Sequence, residues 1–292
     1  MIEIIDPGLL TTVQDLGRPG NAALGVPPSG AVDRPSLLAA NALVGNSPGM
    51  ACLETTLTGV SLRMPAGGVF AVTGAPATVK VDGAEVPFGE AFAAGQGSVV
   101  EVGPAAEGVR SYVAFAGGLD AESVLGSRST DLLTGLGPQP LASTVAVSFG
   151  PSPAVGQSGD RDPSAGPGSG NGIPAIAADP LLRVVPGPRA DRFADGALQA
   201  LEAGQWTVSP RSNRIGVRIE GEPLPVLDAV GELRSEGIVT GSIQVPPGGL
   251  PTVMLNDRPT TGGYPVVAVV VEQDLRIAGQ LRPGSPVRFS LG

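Results

Sequence analysis

The chain has 292 residues, of which 18 are Lys or Arg and 27 are Asp or Glu, so its formal net charge is −9. An acidic chain without a basic cluster lacks the electrostatic footprint of a protein that binds nucleic acid or an anionic membrane. Histidine is absent, which excludes His-based catalytic triads and His-ligated metals within this chain. The single cysteine, Cys52, excludes an internal disulfide.

The composition is typical of a mainly β protein. Hydrophobic residues make up 42% and aromatic residues only 3%, while 44 glycines and 30 prolines predict many short strands joined by tight turns. No run approaches about 18 apolar residues, and the N-terminus has no signal-peptide pattern, so we expect a cytoplasmic protein without a membrane span. We predict an all-β fold with a few short helices.

The length predicts two domains. Residues 151–180 are rich in Pro, Gly, Ser and Asp, which predicts a linker or a mobile loop because such a segment buries too little apolar surface to order itself. The predicted domains are therefore 1–150 and 181–292. The alternative, a long loop within a single domain, fits the total length less well.

The first half predicts one substantial helix and several strands. Asp33 is a typical N-cap, Pro35 stands in the first turn and Gly45 fits the C-terminal cap. Asp82-Gly83 predicts a type I′ turn, because both residues accept positive φ. The other predicted elements are strands at 78–81 and 84–86 on either side of that turn, a strand pair at 98–102 and 110–116, a short helix that opens at Asp120, and a strand at 145–149.

The second half repeats this organisation. Asp191 to Ala203 predicts a helix that stops at Gly204. The predicted strands are 182–185, 207–208, 217–219, 243–245, 252–255, 266–271 and 287–290. Each half thus carries several strands and one helix, and two closed or nearly closed barrels would leave few exposed strand edges.

The stretch from Val245 to Pro265 is the strongest candidate for a binding surface. It places a short apolar strand between two loops that are much longer than a hairpin needs. The second loop holds Asp257-Arg258 and two adjacent threonines. A loop arginine can hold a small carboxylate bidentately, even in an acidic protein.

Two polar segments of the first half are further candidates. Asp15 and Arg18 either pair with each other, which composition favours, or help to present Gln14 and Arg18 to a ligand. Arg128 lies among three hydroxyl residues of the segment 126–130, which suits an anion or a capped turn equally well.

Two glutamates are candidates for acid–base or orienting roles. Glu236 lies in a loop beside Gly237, where it is either a shielded base or a solvated side chain. Glu54 lies in a strand-like context, and it needs a partner if it points inward. The sequence has no phosphate-binding loop of the GxxxxGK[ST] type.

Seven sequence blocks occur in an order that resembles one protein family. The blocks are TVQDLGRPG at 12–20, LGVPPSGAVD at 24–33, ANALVGN at 40–46, VLGSRST at 124–130, SEG at 235–237, IQVPPG at 243–248 and DRPTTGGYP at 257–265. They are similar to the biotin-dependent carboxyltransferase family, which includes allophanate hydrolase subunit 2 and the C-type subunits of 5-oxoprolinase. The family also includes the antagonist of a Kip-type kinase inhibitor and part of the carboxyltransferase region of urea carboxylase.

The resemblance implies two cyclophilin-like β-barrels and a partner chain, in a heterodimer or heterotetramer. That partner is of the allophanate hydrolase subunit 1 type, which corresponds to the B-type subunit of 5-oxoprolinase. The 5-oxoprolinase branch also implies an A-type subunit. The implied reaction converts 5-oxoproline, ATP and water to glutamate, ADP and phosphate, with phosphorylation of the lactam oxygen before ring opening. ATP is expected to be shared with the partner subunits.

Two alternatives remain within the resemblance. One is a carboxyltransferase component that uses CO₂ carried by biotin on a separate carrier, because this chain has no biotin-attachment Met-Lys motif. The other is a regulatory protein that binds a Kip-type kinase inhibitor and catalyses nothing. The family usually has a lysine where this chain has Val266, which favours the regulatory alternative mildly.

The resemblance and the local chemistry together yield a set of candidate site residues. Glu236, Asp257 and Arg258 are the predicted catalytic residues, with Glu236 as base or orienter. Arg18, Arg128 and Arg258 are expected to hold carboxylate or phosphate. The predicted ligand-binding residues are Gln14, Arg18, Ser29, Asp33, Arg128, Ser129, Thr261 and Tyr264. No metal site is expected.

Overall fold

The computed structural model describes residues 2–64, 66–142, 146–149, 176–227 and 233–292. Most of the predicted linker at 151–180 lies outside these residues. The described chain is mainly β, with three short α-helices, α1 (Arg34–Leu43), α2 (Ala197–Ala203) and α3 (Leu275–Gly279). The predicted all-β class is therefore confirmed. No helix in the described part of the chain combines the length and apolar character that a membrane span requires.

The strands are short, as the frequent glycines and prolines predict. In chain order they are β1 (Ile2–Asp6), β2 (Leu10–Gln14), β3 (Cys52–Thr56), β4 (Val60–Arg63), β5 (Gly68–Gly74), β6 (Ala77–Val81), β7 (Ala84–Val86), β8 (Ala91–Ala94), β9 (Val99–Ala105), β10 (Arg110–Phe115), β11 (Leu119–Asp120), β12 (Ala146–Phe149), β13 (Leu181–Pro186), β14 (Trp206–Val208), β15 (Gly216–Glu220), β16 (Glu236–Gly237), β17 (Ser242–Gln244), β18 (Thr252–Met254), β19 (Thr261–Gly262), β20 (Val266–Val270) and β21 (Pro286–Leu291).

The chain forms two compact units. The first contains Met1–Arg18, Ser29–Asp131 and Gly135–Ala175, and the second contains Pro19–Pro28, Leu132–Thr134 and Ile176–Gly292. Two short segments from the first half of the sequence therefore belong to the second unit. The candidate residues Gln14, Arg18, Ser29, Asp33, Arg128 and Ser129 lie in the first unit, and Glu236, Asp257, Arg258, Thr261 and Tyr264 lie in the second.

The first unit is built from two sheets and one helix. Its seven-stranded sheet has the order β11-β12-β1-β4-β9-β6-β7, and its five-stranded sheet has the order β2-β3-β10-β5-β8. The main apolar core includes Ile4, Leu62 and Phe115. A second cluster, with Leu37 of α1 and Tyr112 of β10, forms where the helix packs on the five-stranded sheet.

The second unit contains a closed barrel with the order β13-β20-β17-β18-β15-β14-β21. Closure pairs β13 with β21 in parallel, and it leaves no free edge in the ring. The alternation of buried and exposed side chains is clear in β14, where Trp206 and Val208 are buried and Thr207 is exposed. Trp206 packs edge-on against Phe289, and its indole N–H donates to the carbonyl of Leu201 in α2, which fixes that helix on the barrel.

Predictions from local signals are largely confirmed. Asp33 caps α1, since its carboxylate accepts from the N–H of Ser36, and Asp82-Gly83 has φ values of 50° and 82°, as a type I′ turn requires. The predicted strands are all found in the structure with small shifts at their ends, although Val145 lies outside the described residues. A separate two-stranded ribbon of β16 and β19 accompanies the barrel.

Three local predictions are wrong. The helix predicted from Asp191 begins only at Ala197, because Gly196 before it adopts φ of 84°, outside the helical region. No helix opens at Asp120, which lies in β11. The strands β9 and β10 form as predicted but lie in different sheets, because each finds its partners far away in the sequence.

Candidate functional site

Asp15 is the centre of a buried polar cluster in the first unit. Its carboxylate accepts hydrogen bonds from the hydroxyls of Ser127 and Ser129, both at 2.6 Å, from the backbone N–H of Arg128 at 2.6 Å and from that of Gly17 at 2.7 Å. The segment predicted as an anion site is thus bound to a carboxylate of this chain itself. This group of residues, with Arg18, is called the Asp15 cluster below.

Arg18 belongs to the same cluster and is almost fully buried. Its Nε donates to the carbonyl of Val124 at 3.2 Å, and its Nη2 donates to the carbonyl of Ser129. Gly137 is required beside it, because a Cβ at that position would lie 2.2 Å from the carbonyl oxygen of Ser129. Arg18 therefore ties the loop at 124–129 to the end of β2.

Gln14 lies next to the Asp15 cluster and is fully buried at the end of β2. Its Nε2 donates to the hydroxyl of Thr12 at 3.1 Å and to the carbonyl of Thr130 at 3.0 Å. Its Oε1 and the Oγ1 of Thr130 are buried, and neither has a hydrogen-bond partner within the described ranges. The amide is thus oriented by the chain in the interior of the first unit.

The remaining candidate residues of the first unit, Arg128, Ser29 and Asp33, differ in their burial and in their contacts. The side chain of Arg128 is exposed, so only its backbone contributes to the Asp15 cluster. Ser29 is buried at φ of 50°, and its hydroxyl has no hydrogen-bond partner among the residues that the structure describes. Asp33 is buried and accepts from the N–H and the hydroxyl of Ser36, which gives it a capping function.

Glu54 points inward and has the partners that such a position demands. Its side chain lies 3.4 Å from Nε of Arg110, accepts a 2.7 Å hydrogen bond from Tyr112, and accepts another from the N–H of Val32. Burial raises the pKa of Tyr112 well above its ordinary value, and burial also raises the pKa of the Cys52 thiol. Neither group is therefore a nucleophile or base near neutral pH.

Asp257 of the second unit forms a buried ion pair with Arg214. Nε of Arg214 lies 2.9 Å from Oδ2, and Nη2 lies 3.0 Å from Oδ1, in a two-pronged arrangement with both side chains at 1% exposure or less. The backbone N–H of Leu132 donates to the same Oδ2 at 3.1 Å. Both carboxylate oxygens are thus engaged within the protein.

Arg258 is the next residue in the chain and, unlike Asp257, it is only partly buried. Its guanidinium is half-buried, and its Nη1 donates to the carbonyl of Pro259 at 3.2 Å, whereas its buried Nε has no hydrogen-bond partner in the part of the chain that the structure describes. Among the described residues it makes no ion pair. Burial lowers the pKa of Arg258, although an arginine stays protonated near neutral pH. A cation that is desolvated without a counter-charge is a ready site for an anion.

Glu236 and Thr261 lie together in the ribbon of β16 and β19, where Glu236 pairs with Gly262 and Gly237 with Thr261. Glu236 forms a two-pronged ion pair with Arg189, whose Nε lies 2.8 Å from Oε2. The hydrogen bonds from Arg189 hold the pKa of Glu236 below its ordinary value. Glu236 is therefore an ionised anchor for Arg189.

Tyr264 lies near the C-terminal end of the loop that carries Arg258, and its ring is exposed. Its carbonyl accepts a 3.2 Å hydrogen bond from Nε2 of Gln244, a buried residue of β17. The loop from Leu255 to Pro265 is called the Arg258 loop below. Its C-terminal end is thus attached to the barrel through two adjacent carbonyls, since the N–H of Val245 also donates to the carbonyl of Pro265.

The structure adds residues that sequence reasoning did not select. Arg189, Arg214 and Gln244 hold predicted site residues, and Arg110 and Tyr112 hold Glu54. A buried arginine has no local signature in the sequence, although the buried carboxylates of Glu54 and Asp257 each pair with one. No group of three or more Cys, Asp or Glu residues in the described ranges is arranged to hold a metal ion.

Comparison with known proteins identifies the family. A model of the carboxyltransferase domain, subdomains A and B, matches residues 24–291. The chain belongs to this carboxyltransferase-domain family. The resemblance noted from the seven sequence blocks is thereby confirmed. The 5-oxoprolinase C subunit of Escherichia coli (strain K12) is 36% identical to this carboxyltransferase-domain chain over 99% of the chain and 90% of the relative.

Two solved structures share the fold of this carboxyltransferase-domain chain. The crystal structure of TTHA0988 has a TM-score of 0.87 and 35% sequence identity, covering 99% of this chain and 55% of that chain. The K. lactis urea amidolyase structure also has a TM-score of 0.87, at 29% identity, covering 99% of this chain and 18% of that chain. The present chain thus spans about half of TTHA0988 and a smaller part of urea amidolyase.

Proposed function

We propose that this chain is the C subunit of an ATP-dependent 5-oxoprolinase, which converts 5-oxoproline, ATP and water to glutamate, ADP and phosphate together with A-type and B-type subunits. Near full-length similarity to a 5-oxoprolinase C subunit supports the proposal. The structural observation that carries it is Arg258, a half-buried cation without a carboxylate partner among the described residues.

The chemistry of the substrate matches this arginine. 5-Oxoproline carries one carboxylate at neutral pH, and a guanidinium binds a carboxylate through two parallel N–H donors. Docking the carboxylate on the accessible part of the Arg258 guanidinium compensates its desolvated charge. The exposed Thr261 and Tyr264 lie on the same loop and supply further hydrogen-bonding groups for the ligand.

The two acidic residues predicted as catalytic are assigned supporting roles in this proposal. Glu236 is held ionised by Arg189, and a carboxylate with a lowered pKa is a poor general base near neutral pH, so it orients Arg189. Asp257 has no exposed surface, and it acts through the loop that it anchors. Activation of the lactam carbonyl then depends on hydrogen-bond donors and on ATP.

ATP enters this proposal as a substrate that partner subunits share. No residue of the chain is assigned to the nucleotide, since the sequence has no phosphate-binding loop. In the first unit, the Asp15 cluster, Ser29 and Asp33 are proposed to form the scaffold that presents the exposed Arg128, and the buried amide of Gln14 supports this scaffold through the carbonyl of Thr130. Arg128 would then bind an anionic group.

Reconstitution tests the proposed function. The purified chain is mixed with its A-type and B-type subunits, and ADP release is measured with and without 5-oxoproline. We expect 5-oxoproline-dependent turnover, and Arg258→Ala should raise KM by about 10- to 100-fold, because a hydrogen-bonded charge pair is worth about 1.5–3 kcal/mol. Arg218→Ala, which removes an exposed arginine of β15, serves as control. If the complete mixture releases ADP at the same rate with and without 5-oxoproline, the proposal is rejected.

A second function has support from the urea amidolyase structure. In that case the chain is a component that transfers the carboxyl group of carboxybiotin, on a separate carrier, to a urea-type acceptor. The test supplies biotin carboxylase, the biotinylated carrier, ATP and bicarbonate, and it measures carboxylation of urea. Transfer that depends on this chain, combined with no turnover of 5-oxoproline, would favour this function over the first.

A further inference from the structure

The backbone that carries Arg258 is attached to the segment around Arg214. The N–H of Asp257 donates to the carbonyl of Arg214 at 3.1 Å, and the N–H of Leu255 donates to that of Ile215 at 2.9 Å. Within the turn, the N–H of Arg258 donates to the carbonyl of Leu255 at 3.2 Å. Three backbone hydrogen bonds thus define the turn at 255–258.

The side chains add a rigid connection at the residue just before Arg258. Arg214 and Asp257 engage through two parallel hydrogen bonds, and both are buried. Such a pair is stable only with good geometry, because two desolvated charges must be matched closely. A fork of two bonds also fixes orientation, which a single point charge such as the ammonium of lysine does not.

We propose that Arg214 is a positioning residue for Arg258, and that the Arg214–Asp257 pair fixes the direction in which the Arg258 guanidinium faces its carboxylate ligand. The identity of that ligand as 5-oxoproline rests on the proposed function, whereas the positioning itself does not. Arg214 touches no ligand in this arrangement. It lowers the cost of binding by keeping Arg258 in one orientation before the ligand arrives.

The same unit offers a control pair of the same geometry, in which the arginine side chain is 54% exposed. Arg183 engages Asp274 through Nε at 2.9 Å and Nη2 at 2.7 Å, with the same two-pronged geometry. This pair joins β13 to the turn before α3, and neither residue belongs to the Arg258 loop. Arg183→Lys therefore reproduces the chemical change of Arg214→Lys without touching the connection to Arg258.

The first experiment measures the orientation of Arg258 directly in the isolated chain. The Nε–H signal of Arg258 is identified in ¹⁵N–¹H NMR spectra by its loss in Arg258→Lys. We expect Arg214→Lys to broaden this signal or to speed its exchange with water by about tenfold or more, as a loosened buried N–H should. Arg183→Lys should leave it unchanged. An Arg258 signal that is identical in the wild type and in Arg214→Lys overturns the inference.

The second experiment uses the reconstituted complex. Arg214→Lys should raise KM for 5-oxoproline by about tenfold with kcat nearly unchanged, since uniform binding is lost. If Arg214 acts through Arg258, the effect should disappear in the Arg258→Lys background, because coupled residues are non-additive. Fully additive effects on KM overturn the inference.

Two further measures keep the outcomes separate. Asp257→Asn removes the charge of the pair with little change of shape, and it replaces Arg214→Lys in both experiments if that variant does not fold. A wild-type complex that fails to turn over 5-oxoproline rejects the proposed function alone, and the NMR comparison in the isolated chain then decides on the positioning role of Arg214.

Discussion

Tyr112 donates a 2.7 Å hydrogen bond from its hydroxyl to Oε2 of Glu54, and the same hydroxyl accepts one of 2.8 Å from the N–H of Asp33. These contacts join β10, β3 and the N-cap of α1 in the interior of the first unit. All three residues are buried, so water does not replace a lost partner. The helix is thereby connected to the sheet through polar as well as apolar contacts.

Tyr112→Phe should lower the free energy of unfolding by about 1–3 kcal/mol, because the N–H of Asp33 loses its acceptor and Glu54 loses a donor. Urea unfolding measures the effect. The chain has only one other tyrosine, Tyr264, whose ring is exposed, and Tyr264→Phe should change stability by less than about 0.5 kcal/mol. Equal effects of the two substitutions would contradict the prediction.

Two neighbouring glycines separate backbone strain from steric clash. Gly135 and Gly137 have φ of +74° and +77°, but a Cβ on Gly135 meets nothing within 4 Å, whereas one on Gly137 would lie 2.2 Å from the carbonyl oxygen of Ser129. Gly135→Ala should cost about 1–2 kcal/mol for its left-handed conformation. Gly137→Ala should cost clearly more in thermal or urea unfolding. A ranking in the opposite order would show that the loop at 137 moves away without cost.

Asp15→Asn should destabilise the first unit by about 1–3 kcal/mol, because one of the carboxylate oxygens that accept from Ser127, Ser129 and Arg128 is replaced by an amide donor. The measurement is again urea unfolding. Asp120→Asn, at an exposed position of β11, is the matched control and should have little effect. Full stability of Asp15→Asn would mean that the cluster rearranges around an amide.

The decrease of the unfolding free energy at acid pH should depend in part on Asp274. Hydrogen bonds from Arg183 hold its pKa below the ordinary value. A carboxyl group of this kind stabilises the folded state at pH values above its unfolded pKa of about 3.9, and this contribution is lost as pH falls through the lower folded pKa. Asp274→Asn should therefore have a lower free energy of unfolding than the wild type at pH 7. As the pH falls below about 5, the wild type should lose more of its unfolding free energy than Asp274→Asn, so the difference between the two proteins should shrink.

The control for this pH experiment is Glu272→Gln, which removes an exposed carboxylate from the same turn. Its unfolding free energy should follow that of the wild type across the acid range. A constant difference between the wild type and Asp274→Asn at every pH would show that the Arg183–Asp274 contact does not depend on charge.

The sequence alone predicted those parts of the fold that depend on neighbouring residues. The cap at Asp33 and the turn at Asp82-Gly83 are confirmed, because capping and positive φ are determined within a few residues. The helix predicted from Asp191 begins later than predicted, because Gly196 adopts a positive φ and interrupts the helical backbone just before Ala197. The family could also be recognised from the sequence alone, because its motifs are contiguous blocks of residues.

Only the tertiary structure decided which groups meet. The strands β9 and β10 are neighbours in sequence but enter different sheets, and Glu54 in β3 points inward to partners 56 and 58 residues away, a choice that local alternation leaves open. At the candidate site, the sequence selected Arg258 from its loop, whereas the partner that removes Asp257 from catalysis in our proposal, Arg214, lies 43 residues earlier. Ion pairing is a matter of distance in space, and spacing along the chain does not encode it.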